Sequence, residues 1–128
     1  IKSIRSVREQ ALIFVDQEGG RVQRFKDGFS RLPNLRLLGS LFDSPTGRDS
    51  LYFAEQVARL MAIEMLSIGV DMSLAPVADL DKGLSDVISN RAFHGDPDKV
   101  VKLATAYIQG MQKAGMGATI KHFPGHGS

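Results

Sequence analysis

The 128-residue sequence has no cysteine and no tryptophan, and its aromatic residues are seven phenylalanines and two tyrosines. Without cysteine, the chain can form neither disulfides nor thiolate metal sites, and this composition favours a cytoplasmic protein. No apolar run approaches the roughly 20 residues that span a bilayer. The first residues also lack the basic start and apolar stretch of a signal peptide. We therefore expect no membrane partner.

The charged residues show no concentration of one sign. The formal net charge is +2 and the sequence pI is about 9.1, but Lys and Arg are scattered along the chain. A nucleic-acid surface more often combines a basic stripe with stacking aromatics, so nucleic acid is not predicted as a partner. Hydrophobic residues make up 43% and charged residues 23%, as is typical of a globular domain rather than a disordered chain.

Apolar strand-like runs alternate with helical patterns along the chain. Residues 11–15 form a continuous apolar run, which predicts a strand buried on both faces. Helical periodicity follows over about residues 50–68, then a second apolar run at 70–77. A second helix is predicted over about residues 97–115, before a short run at 118–120. This order predicts parallel strands joined by helical crossovers, as in a doubly wound sheet or a (β/α)₈ barrel.

Both predicted helices carry start or stop signals. Thr46 and Asp49 stand at capping-box spacing before the first helix. Asp96 is the predicted N-cap of the second helix, with Pro97 at its first position and Gly115 at its end.

Ionisable residues follow each apolar run. They are Asp16, Glu18, Arg21 and Arg24 after the first, Asp79, Asp81, Arg91 and His94 after the second, and Lys121, His122 and His126 after the third. The carboxyl ends of parallel strands share one face, so these groups are predicted to converge on a binding site. Carboxylates together with Arg and Lys suit a polyhydroxylated ligand such as a sugar, whereas acids repel phosphate. The alternative to a binding site is that these residues are polar because they lie in solvated loops.

Metal and cofactor binding are not predicted. His122 and His126 are four apart, a zinc spacing when it lies on a helix, but Pro124 and Gly125 between them disfavour a helix. The sequence also lacks a complete phosphate-binding loop pattern.

Four sequence blocks carry a family resemblance. They are DQEGGRVQR at residues 16–24, APVADLD at 75–81, RAF at 91–93 and KHFPGHG at 121–127. Together, over about residues 11–128, they resemble bacterial β-N-acetylglucosaminidases (β-hexosaminidases) of the NagZ type in glycoside hydrolase family 3. The KHFPGHG block is the most specific of the four.

The resemblance implies an α/β fold that is part of a (β/α)₈ TIM barrel. Because a whole barrel needs about 250 residues, residues 1–128 would supply about three of its eight β/α units and lack its first strand and C-terminal half. The implied activity is retaining hydrolysis of terminal, non-reducing β-linked N-acetylglucosamine from muropeptides in peptidoglycan recycling. The implied substrate-binding residues are Asp16, Arg24, Arg91, Lys121 and His122. The implied Asp nucleophile and His acid/base would lie beyond Ser128, so no catalytic residue is assigned.

Two other readings stay open. The parent protein could be another family 3 glycosidase or a phosphorylase, or the chain could be a sugar-binding or assembly fragment without catalysis. A truncated barrel would also leave strand edges unpaired. We therefore expect the isolated chain to be unstable, or to be rescued by self-association or by complementation with another chain. Because the implied catalytic residues lie beyond Ser128, we also expect the isolated chain to be inactive.

Overall fold

A computed structural model of the chain describes residues 1–45 and 47–127. The helices are α1 (Lys2–Val7), α2 (Leu35–Phe42), α3 (Ser50–Ser67) and α4 (Pro97–Lys113), and the strands are β1 (Phe14–Val15), β2 (Gln17–Gly19), β3 (Val22–Gln23), β4 (Met72–Ser73) and β5 (Gly117–Ala118). The expected contribution of Thr46 to a capping box lies outside the described residues.

The main sheet is parallel and has the order β1-β4-β5. Phe14 pairs with Met72, which in turn pairs with Gly117. Pairing resumes further along, where Val77 and Lys121 form a parallel bridge. This second contact brings the two chain segments that follow β4 and β5 side by side.

Helices α3 and α4 pack against each other and against the sheet. At Gly110 a Cβ atom would lie 2.1 Å from the carbonyl oxygen of Glu55, so the two helix backbones approach too closely for any larger residue. The Asp96 carboxylate accepts a hydrogen bond from the Asp98 N–H, and Pro97 follows it, which confirms the predicted start of α4. No helix in the described part of the chain has the length and apolarity needed to cross a membrane.

The prediction that the first strand is buried on both faces is wrong. Ile13 and Val15 pack against the core, but the side chains of Leu12 and Phe14 are 74% and 50% exposed. Successive strand residues point to opposite faces, and the buried core meets only one of them here.

The region between β1 and α3 contains two elements that the sequence did not reveal. Strands β2 and β3 form an antiparallel hairpin directly after β1. Helix α2 begins after Asn34, whose side chain accepts a hydrogen bond from the Leu37 N–H at 3.0 Å. It buries Leu35 and Leu38 against the core, which extends the helical layer next to the hairpin.

Candidate functional site

The carboxyl ends of the strands bring part of the predicted set of site residues together. Asp16 directly follows β1, and its carboxylate accepts a hydrogen bond from the Lys121 ammonium at 2.7 Å. Lys121 lies at the bridge that extends the β4–β5 pairing, so the sheet register sets this contact. Arg91 reaches the same cluster from the 3₁₀ turn Ser89–Arg91.

Glu18 is the hub of this cluster. Its side chain is only 2% exposed and accepts two hydrogen bonds from Arg91, each 2.9 Å long, through Nε and one terminal nitrogen. The Lys121 ammonium lies 2.5 Å from the same carboxylate. Lys121 therefore bridges Asp16 and Glu18, and Glu18 in turn joins Lys121 to Arg91. Glu18 was among the residues predicted to follow the first strand, but not among the five predicted to bind substrate.

The β2–β3 hairpin explains why Glu18 points inward. Gly19 and Gly20 both have positive φ, 107° and 55°, a conformation that glycine adopts without strain. A Cβ at Gly19 would also lie 2.3 Å from the Pro33 carbonyl oxygen. The paired glycines thus form a tight hairpin packed against the following loop, and this hairpin holds Glu18 in the buried layer.

A buried amide orders the loop that carries Arg24. The Gln17 side-chain oxygen accepts hydrogen bonds from the N–H groups of Arg24 and Phe25 at 2.8 and 3.1 Å. Its amide nitrogen donates to the Phe25 carbonyl at 3.1 Å. The guanidinium of Arg24 contributes to the field at Asp16, so this loop belongs to the edge of the cluster.

His122 sits beside the cluster in a second, smaller group. Its Nδ1 lies 2.6 Å from the buried carboxylate of Asp79, and the His126 N–H donates to the other oxygen of Asp79 at 2.6 Å. Because a carboxylate only accepts, the contact with Asp79 places a proton on Nδ1, and in a ring that carries one proton Nε2 is then the acceptor. Within the described ranges, no group of three or more His, Cys, Asp or Glu side chains could hold a metal ion.

The remaining strand-end residues have partners elsewhere. Asp81 forms an ion pair with Arg36, and His94 lies 2.9 Å from the carboxylate of Asp43. Arg21 donates to the Val87 carbonyl at 2.6 Å. These residues connect loops and helices, so only part of the predicted set converges on the cluster.

The electrostatics keep the cluster ionised. The hydrogen bond from Lys121 lowers the pKa of Asp16. Burial raises the pKa of Glu18, but hydrogen bonds and charges from Arg91 and Lys121 outweigh it, so this pKa lies below the ordinary 4.5. The hydrogen bond with Glu18 raises the pKa of Arg91. Asp16 and Glu18 are therefore ionised and Arg91 is charged at neutral pH.

An open cavity of about 450 Å³ adjoins His122. Its lining includes Asp79, Lys82, Lys121, His122 and Phe123. Asp16, Glu18 and Arg91 do not line it, so the cavity meets the cluster at Lys121. Phe123 is 99% exposed and forms part of its rim.

Parallel strands joined by helical crossovers define an α/β protein, and its charged cluster lies at the strands' carboxyl ends, where such folds usually bind their ligands. Residues 2–128 match the glycosyl hydrolase family 3 N-terminal domain, and the chain belongs to this family.

Comparisons with curated proteins agree. The chain is 57% identical over 116 residues to a β-hexosaminidase of Hydrogenovibrio crunogenus, an alignment that covers 91% of the chain and 32% of the relative. A β-hexosaminidase of Pseudomonas aeruginosa is 50% identical over 125 residues, with 98% and 36% covered. The chain thus spans about a third of the length of these relatives.

Solved structures show the same relationship. NagZ from Neisseria gonorrhoeae in complex with N-trifluoroacetyl-D-glucosamine matches with a TM-score of 0.94 and 45% identity, over 98% of this chain and 38% of that one. A family 3 β-N-acetylglucosaminidase from Paenibacillus matches with a TM-score of 0.83 and 34% identity, over 98% and 23%. The predicted family and the predicted partial (β/α)₈ barrel are confirmed.

Proposed function

We propose that the chain is part of the catalytic barrel of a retaining β-N-acetylglucosaminidase and holds much of its sugar-binding site. The parent protein would remove terminal, non-reducing β-linked N-acetylglucosamine. The observation that carries the proposal is the series of ion pairs at the strand ends, in which Lys121 joins Asp16 to Glu18 and Glu18 binds Arg91. Relatives that are named β-hexosaminidases, and a neighbour in complex with an N-acylglucosamine analogue, support this class of ligand.

Each proposed sugar contact has a chemical role. Asp16, with a side chain 40% exposed, accepts hydrogen bonds from sugar hydroxyls while Lys121 holds one of its oxygens. Arg91, Lys121 and, at the edge, Arg24 donate to hydroxyl or carbonyl oxygens. His122 can accept a hydrogen bond from a hydroxyl at Nε2, because its contact with Asp79 keeps the ring proton on Nδ1. The site therefore pairs acceptors with donors, as a polyhydroxylated ring requires.

The proposal assigns no nucleophile and no acid/base within residues 1–128. Retaining glycosidases usually place two carboxyl groups about 5–5.5 Å apart, one of them free to attack. Glu18 is buried and bound by two cations, so it is a poor nucleophile. The proposed substrates are N-acetylglucosamine-containing muropeptides in cytoplasmic peptidoglycan recycling. The proposed reaction needs no cofactor or metal.

The first experiment compares the 128-residue chain with the full-length parent protein on the aryl N-acetyl-β-glucosaminide, following 4-nitrophenol release. We expect turnover by the parent and none by the chain. An aryl β-glucoside, and added phosphate, test for a glucosidase or a phosphorylase. Turnover by the chain alone would contradict the assignment and direct attention to Asp16, Asp79 and His126. If the parent is inactive and the chain binds N-acetylglucosamine saturably, the result would support the alternative that the chain is a sugar-binding fragment without catalysis.

A second proposal concerns association of the isolated chain. In the described sheet, β1 and β5 each pair on one side only, and Leu12 and Phe14 project from the open face. Unpaired strand edges next to exposed apolar side chains favour self-association or complementation by another chain. Sedimentation velocity on the isolated chain tests this. A single, folded monomeric species across concentrations would contradict it.

A further inference from the structure

The formal charges of the cluster and of its charged neighbours sum to zero. Three carboxylates and three cations act on one another there: Asp16, Glu18, Asp79, Arg24, Arg91 and Lys121. Asp16 and Asp79 both contribute to the field at Arg91, and Arg24 contributes to the field at Asp16. The summed formal charge of these six groups is zero.

Glu18 is the less exposed of the two carboxylates that bind Lys121. It is nearly inaccessible to solvent, whereas the Asp16 side chain is 40% exposed. A buried carboxylate that no ligand can reach directly still acts on a ligand through the two cations that it binds. Loss of its charge would leave Lys121 paired with Asp16, and would leave Arg91 with the longer-range charges of Asp16 and Asp79.

Arg91 and Lys121 also have few free donors. Arg91 uses Nε and one terminal nitrogen on Glu18, and its other terminal nitrogen donates to the Val87 carbonyl at 3.1 Å. Lys121 uses two of its three N–H donors on Asp16 and Glu18. Phosphate is bound best by an open guanidinium fork, which Glu18 already occupies. A hydroxyl needs only one of the remaining hydrogens.

We propose that Glu18 is a specificity-determining positioning residue, which cancels the charge of Arg91 and Lys121 so that the site takes an uncharged hydroxylated group and rejects anions. This inference rests on the proposed sugar-binding function. The inference goes beyond that function because it assigns a role to a residue, Glu18, that does not contact the sugar. In a purely structural role, Glu18 would hold the hairpin in place and leave the preference between neutral and anionic ligands unchanged.

The test measures inorganic phosphate binding by titration calorimetry, at constant ionic strength, on the parent protein. The variants are Glu18→Gln, which keeps the shape and removes the charge, and Glu18→Asp, which keeps the charge on a shorter arm. Glu55→Gln is the matched control because Glu55 also pairs with a lysine, Lys113, outside the site. We expect Glu18→Gln to bind phosphate at least about tenfold more tightly than the wild type. Glu18→Asp and Glu55→Gln should stay at the wild-type level.

A second variant keeps the proposal testable if Glu18→Gln does not fold. Asp16→Asn makes the same change in charge at a more exposed position, so the fold should tolerate it. We expect a smaller gain in phosphate affinity, about threefold, because solvent screens this position more than Glu18. Phosphate binding as weak as that of the wild type would overturn the proposal, whether it is found in folded Glu18→Gln or, if that variant does not fold, in folded Asp16→Asn. So would tight phosphate binding by the wild type.

The readout separates this inference from the proposed function. Phosphate binding needs no turnover, so it can be measured whether or not the parent hydrolyses an N-acetylglucosaminide. An inactive parent with the predicted gain in phosphate affinity would reject the enzymatic proposal and keep the role of Glu18. An active parent without that gain would do the reverse.

Discussion

The α3–α4 layer and Glu18, the centre of the strand-end cluster, are both buried, but the two regions are built by opposite means. Most of the side chains that the two helices bury are apolar, several of them are alanines, and Gly110 allows the backbones to approach closely. In the cluster, Glu18 is equally inaccessible but surrounded by charge. The first region excludes water by packing, whereas the second needs each charge to have a partner.

This difference assigns the two regions different tasks. Apolar burial is non-directional and contributes in proportion to the area removed from water. A buried ion network recovers its desolvation cost only with good geometry, so it contributes little net stability but fixes the positions of donors and acceptors. We infer that the helical layer stabilises the fold and the cluster selects the ligand.

The largest expected effect comes from a cavity in the helical layer. Leu103 is fully buried on α4, and Leu103→Ala should lower the free energy of unfolding of the parent protein by about 3 kcal/mol, without changing sugar affinity. Urea unfolding and N-acetylglucosamine titration measure the two quantities. Val101→Ala on the same helix is the control, because that side chain is 64% exposed. A folded Leu103→Ala variant with full stability, or with altered sugar affinity, would contradict the division of tasks.

The sequence predicted the helical layer better than the hairpin region. Helical periodicity and the cap at Asp96 located α3 and α4 to within a few residues, because one buried face repeats along each helix. The hairpin was missed because its strands are only three and two residues long, too short to show alternation. Helix α2 was missed because it follows a proline and spans only eight residues.

The site was partly predictable for a topological reason. Parallel strands end at one face, so Asp16 and Lys121 could be expected to meet although 105 positions separate them. Which strand-end residues would turn away could not be predicted, since Asp81 and His94 find partners in segments with no such regularity. The central place of Glu18 depends on the hairpin, and it was therefore missed together with it. The roles of the five residues in substrate binding stay predictions.

Acid should weaken the cluster before it affects the helical packing. The pKa values of Asp16 and Glu18 are lowered in the folded protein, so their contribution to stability is present above the unfolded pKa values and is lost as the pH falls through the folded ones. We expect stability to decline below about pH 4.5, the ordinary pKa of a glutamate. Urea midpoints across this range should fall less steeply for Glu18→Gln than for the wild type. Identical slopes would contradict a role for Glu18 in acid sensitivity.

The smallest expected effect sharpens the comparison between a surface ion pair and one in the cluster. Lys113 lies 2.7 Å from Glu55, the same distance that separates Lys121 from Asp16, but the Lys113 side chain is 57% exposed and that of Lys121 only 14%. Solvent screens the exposed pair, so Lys113→Met should change the free energy of unfolding by less than about 1 kcal/mol. Lys121→Met leaves Glu18 and Asp16 with one cation fewer, and we expect it to destabilise the protein more and to weaken sugar binding. Paired urea unfolding curves decide between the two outcomes. Equal losses would mean that separation, not burial, sets the strength of these pairs.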